Sequence, residues 1–156
     1  MFILDTAGGY ELESKTLFNE MTTAPNTSEK RIINELILNL KVSGNWDKLD
    51  VLWVFAAYNQ QAARLNWKKP GTYTASEVNA PAWGAKQGYT SDGSTSYENL
   101  NWTPSTDGVN FTRDDASVFL YCRTTNTGGF GDCGSRIAGN DGIATNIFTG
   151  ANQYFF

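Results

Sequence analysis

The chain has 156 residues, 40% hydrophobic and 13% aromatic, with a formal net charge of −4 and no histidine. That length suits one domain able to bury roughly two-thirds of its unfolded surface, and the few, scattered basic residues exclude a phosphate-tracking nucleic-acid face. Without histidine, Ser-His-Asp and Cys-His nucleophile systems are excluded in their usual form, and so are zinc sites built on histidine, which two cysteines do not replace.

In chain order, residues 1–25 read as an arm. Met1-Phe2-Ile3-Leu4-Asp5 has no basic region and too short an apolar run for a secretory signal. Leu12, Leu17, Phe18 and Met21 mark one or two amphipathic turns. Residues 26–70 form a helical preface. Asn26 is placed to cap a helix over 27–41, and Glu29 at its third position completes a capping-box pattern. Ile32, Ile33, Leu36, Ile37 and Leu40 give the apolar stripe, and Gly44 ends the helix. Trp46 to Asp50 predicts a short helical turn running into the apolar stretch from Val51 to Ala57, a core segment too short to span a bilayer. Asn59 to Trp67 predicts a further short helix, stopped by Pro70.

From Gly71 the period becomes two. Candidate strands are 72–78, 83–89, 96–102, 117–124, 135–138, 143–148 and 153–156, with Asp92-Gly93 as a strong turn signal. Over Ala116 to Arg123 the alternation puts Val118, Leu120 and Cys122 on one face and Phe119 and Tyr121 on the other, so a buried central strand is predicted, with Leu36 and Leu120 in the core. The expected fold is mainly β: residues 71–156 make an antiparallel β-sandwich, which forms one compact unit with the short helical region before it.

The wording of one stretch adds to this. Gly88-Tyr89 followed by Gly93-Ser94-Thr95-Ser96-Tyr97, then Asn101-Trp102-Thr103-Pro104-Ser105 and Ser117-Val118-Phe119-Leu120-Tyr121, resembles tailed-bacteriophage virion proteins that carry a concanavalin A-like (laminin-G-like) jelly-roll domain. The likeness reaches upstream through 45–56, Leu65-Asn66-Trp67-Lys68 and Gly71-Thr72-Tyr73, and covers residues 27–124. It implies a non-enzymatic structural role in a virion, as a fibre, decoration or adaptor subunit. It also implies localisation in the virion after synthesis in the host bacterial cytoplasm. The implied partners are copies of itself, commonly as a trimer, and other virion proteins.

Two alternatives compete with that role. The first is a glycan-recognising, lectin-like module. Such sites set aromatic faces against sugar rings beside Asn and Asp from loops, often ordered by calcium. Trp102 beside Asn101, with Asp107 and Asn110 in the next loop, has that composition, and Trp83 and Tyr97 add stacking surface. Against it, tryptophans of a small sandwich mostly fill core, Asn and Asp in such loops follow from turn geometry, and no acidic run has calcium-loop spacing. The second is a carbohydrate-active enzyme, which needs two carboxylates on one face. Glu11 and Glu13 alternate correctly but sit in the arm, while Asp114 and Asp115 are adjacent and point apart on a strand. No catalytic or metal-binding residue and no cofactor is therefore expected, and Thr127-Gly128-Gly129-Phe130-Gly131 lacks the lysine and helix of a phosphate loop.

Cys122 and Cys133 bracket a glycine-rich loop, so a hairpin-clamping disulfide competes with two thiols, and assembly in a reducing cytoplasm favours the thiols. Phe2-Ile3-Leu4 and Tyr154-Phe155-Phe156 are apolar clusters that predict burial against a neighbouring subunit, with capping of the monomer's own core as the alternative, unless the sequence is part of a longer protein.

Overall fold

In the computed structural model, residues 9–112, 114–123, 133–136 and 142–145 are described. The chain divides into two units, Met1–Trp102 and Thr103–Phe156.

The first unit includes helix α1, Leu12–Glu20, over the stretch where one or two amphipathic turns were expected. Leu17 and Met21 are buried, and the Phe18 ring meets Tyr10 edge-on at 5.4 Å. Helix α2, Thr27–Val42, follows. Its capping box is complete: Glu29 N–H donates to Asn26 Oδ1 at 3.0 Å, and Asn26 N–H donates to Glu29 Oε2 at 3.0 Å. Two of the donors left unpaired by helix geometry are thereby satisfied. At the other end Gly44 takes φ 71. Its N–H bonds to Lys41 O, and Asn45 N–H reaches back to Leu40 O. This pair of bonds is a Schellman ending, which needs a left-handed residue where glycine stands.

The inward face of α2 is Ile33, Asn34 and Ile37. Leu36, expected in the core, is 38% exposed. Asn34 lies inside because its Oδ1 accepts from Glu11 N–H at 2.7 Å, a contact that fixes the rotation of α2 against α1. Lys41 strengthens the same junction, reaching Glu11 at 2.6 Å and Glu13 at 2.9 Å.

A 3-10 turn, Trp46–Lys48, buries Trp46, with the Lys68 ammonium 4.8 Å from its ring centroid. Helix α3 is shorter than the sequence predicts, Gln60–Ala63, capped by Asn59 Oδ1 on Ala62 N–H. It stops there because the residues beyond it are taken by another segment. Trp67 N–H donates to Leu52 O at 2.7 Å, Leu52 N–H donates to Asn66 Oδ1 at 3.1 Å, and Trp53 bridges to Asn66. Ala62, Ala63, Leu65 and Trp67 join Leu17, Met21, Ile33, Ile37, Trp46 and Ala57 in one core cluster.

Four three-residue strands complete this unit: β1 Ser76–Val78, β2 Ala82–Gly84, β3 Gly88–Thr90 and β4 Tyr97–Asn99. β2 and β3 form an antiparallel hairpin, and β1 pairs antiparallel with β4 outside it. The single strand expected over 83–89 is thus folded back at Ala85-Lys86-Gln87, with Lys86 at φ 59 and Gly88 at φ 94. Lys86 N–H donates to Ala57 O at 2.7 Å and Trp83 Nε1–H to Phe55 O at 3.1 Å, which moors the hairpin to the core segment.

The second unit contains α4 Pro104–Asp107 and the antiparallel pair β5 Cys133–Arg136 with β6 Gly142–Thr145. Residues 114–123 contain no strand, and Phe119 is 90% exposed. The predicted central strand at 117–123 is therefore not formed: Val118 and Phe119, from the two faces of the alternation, are both exposed, so neither face meets a buried layer. The strands expected over 143–148 and 153–156 lie partly or wholly outside the described residues, as do both terminal apolar clusters.

The chain is thus helical segments with small antiparallel sheets. Among the described residues the sheets are three two-stranded pairs. Among the described residues the core of the first unit is made by α1, α2 and the 46–67 segment that includes α3, and a mainly-β sandwich is not seen.

Candidate functional site

The residues singled out for glycan contact fall in different units. Asn101 takes φ 52, and its Nδ2 donates to Thr74 O at 2.7 Å and to Ser76 Oγ at 3.2 Å. It ties the exit of β4 to the entry of β1. Trp102 beside it is half-buried. In the second unit Asp107 Oδ2 accepts from Thr103 N–H at 2.7 Å and so closes the first turn of α4, while Asn110 is exposed. Asn101 therefore uses its amide on the distant β1 entry, and Asp107 its carboxylate on local backbone. Tyr97 is 54% exposed, and Trp83 faces the core segment. Glu11 and Glu13 are both engaged by Lys41, which holds the Glu13 carboxyl below the usual range through that hydrogen bond. Among the described residues no three His, Cys, Asp or Glu side chains gather as a metal site.

The Asp92-Gly93 turn is built more tightly than the sequence suggested. Asp92 Oδ1 accepts from Ser94, Thr95 and Ser96 N–H at 2.9, 2.8 and 2.9 Å, and Oδ2 from Thr95 Oγ1 at 3.0 Å. Backbone donors converging on one carboxylate favour its charged form, so Asp92 is held well below the ordinary aspartate range.

A second cluster of ionisable groups was missed by the sequence reading. The β1–β4 register sets Glu77 directly opposite Glu98, so both side chains leave the same face of the ladder. Glu77 Oε1 accepts from Gln60 Nε2 at 2.5 Å and from Tyr89 Oη at 2.9 Å, and Arg64 Nη1 stands 4.0 Å away. Glu98 has no such hydrogen bonds. Both of its carboxylate oxygens are shut from solvent with no hydrogen-bond partner. Burial, then the Glu77 charge, push its carboxyl up to about 7, and Arg64 only partly opposes them. Burial and the Glu77 hydrogen bond likewise raise the Tyr89 hydroxyl. The pair is invisible to a scan for neighbouring acids, because its members lie on different strands. The alternation within Ser76–Val78 and Tyr97–Asn99, together with a hairpin assigned between them, is the only signal that could have found it.

The chain matches no protein-family model, no curated protein and no solved structure.

Proposed function

We propose that this chain is a non-enzymatic structural component of a tailed-bacteriophage virion, a fibre, decoration or adaptor subunit that associates with copies of itself and with other virion proteins. The observation carrying this reading is where the resemblance-bearing residues go. Trp46 is core, Asn66 anchors Leu52, Gly88 turns a hairpin against Phe55, and the Ser94-Thr95-Ser96 backbone closes on Asp92. These residues build the fold, as expected of a motif that specifies a scaffold. On this reading the short antiparallel pairs are pieces of a concanavalin A-like jelly-roll sandwich that gains further pairing in the assembled particle.

A glycan-recognising module is the weaker reading, because Asn101 and Asp107 already spend their hydrogen bonds on backbone. The test is incorporation. Tailed phage particles from the source host should carry the chain after density-gradient purification, detected by peptide mass spectrometry. Its presence only in the soluble fraction would overturn the virion role. Binding to host-surface glycan by the isolated chain would favour the alternative.

A further inference from the structure

The Glu77–Glu98 pair sets up an unusual electrostatic problem. Two carboxylates face each other across an antiparallel ladder, where directly opposed Cβ atoms are about 4.5–5.5 Å apart. Only one is provided for: Glu77 has Gln60, Tyr89 and Arg64, while Glu98 is enclosed with both oxygens unpartnered. An enclosed carboxylate beside a like charge is costly, and a proton removes the cost. The charged and titratable groups facing Glu98 are Glu77 from β1, Arg64 from the end of α3 and Tyr89 from β3.

We propose that one proton on Glu98, whose enclosed carboxyl stands opposite Glu77 on the paired strand, is the latch of the β1–β4 ladder, so that this unit closes in mildly acidic solution and loosens as the solution becomes neutral to alkaline. When protonated, Glu98 is neutral and the pair carries one negative charge near Arg64. When deprotonated, two negative charges share the face, and the enclosed one has no donor.

The composition makes this readable. The chain contains no histidine, so the group that ordinarily titrates between about pH 5 and 8 is missing. The other shifted groups act elsewhere. Glu13 and Asp92 are lowered, so their contribution is lost only as pH falls into the acid range. Lys41 and Tyr58 are raised from already alkaline values. For Glu98 the folded value, about 7, lies above the ordinary glutamate value of 4.5. The folded state therefore binds more proton between those values, and its stability falls as pH rises through the window.

The experiment is thermal unfolding of the full chain, under reducing conditions, from about pH 5 to about pH 7.5, a range below the ordinary thiol titration. The wild-type Tm should drop across it by on the order of 5 °C. Glu98→Gln, which keeps a neutral side chain at every pH, should flatten the profile. Glu77→Gln, which removes the opposing charge, should move the midpoint of the drop to lower pH. A flat wild-type profile, or an unchanged slope in folded Glu98→Gln, overturns the proposal. If Glu98→Gln does not fold, the 13C shift of the Glu98 carboxyl in the wild-type chain decides: titration near neutrality supports the latch, and titration in the ordinary glutamate range refutes it.

Discussion

The two units differ in what holds them. In Met1–Trp102, two helices, a 3-10 turn and a bridged segment converge on a core that includes Leu17, Ile37, Ala62, Ala63 and Trp67. In Thr103–Phe156 none of residues 103–112, 114–123, 133 and 134 is buried, and Val109, Phe119 and Tyr121 are largely exposed. The first unit encloses apolar area against itself, which is the main favourable contribution to folding. The described part of the second presents apolar side chains to its surroundings. Order in a segment this rich in aromatics follows from pairing and burial, and alternation alone does not provide them.

Substitutions can break or sharpen that contrast. The largest effect is expected inside the first unit: Ile37→Ala should cost about 2–5 kcal/mol by urea unfolding, since Ile37 is fully buried. Its neighbour on the same helix, Leu36→Ala, should cost less than about 1 kcal/mol, and equal losses would mean that α2 is rotated from the orientation described. Asn34→Ala removes the acceptor of the Glu11 N–H and should cost about 1–3 kcal/mol. Asn26→Ala, which deletes half of the capping box, should cost about 1 kcal/mol. The smallest effect belongs to the second unit. Phe119→Ser should change stability by no more than about 0.5 kcal/mol. A loss above about 2 kcal/mol would show that 117–123 is packed as the alternation suggested, and the contrast would collapse.

What the sequence revealed follows the range of the interactions involved. Helix α2 was legible at both ends because capping by Asn26 and Glu29 and termination at Gly44 are decided within a few residues. The strong Asp92-Gly93 turn was legible for the same reason. Leu36 was misassigned because a five-residue apolar stripe is wider than the face that packs, and the choice between Leu36 and Asn34 is made by Glu11, far away in the chain. The expected strand over 83–89 hid a reversal, since alternation continues through a turn whose geometry depends on Lys86 reaching Ala57. The Glu77–Glu98 pair escaped because it exists only once β1 and β4 are in register.

The enclosure of β2 and β3 between β1 and β4 has a kinetic consequence. Joining β1 to β4 directly means closing a long flexible loop, with an entropic cost that grows with its length. If the inner hairpin forms first, the ends of that loop are already near each other and the outer pair closes over a short remaining gap. Folding of this region should therefore proceed from the inside outward. Gly88→Val, which forces a branched side chain into a backbone at φ 94, should slow refolding in stopped-flow measurements more than it speeds unfolding. The reverse pattern would mean that the outer strands meet first and the inner hairpin is fitted afterwards.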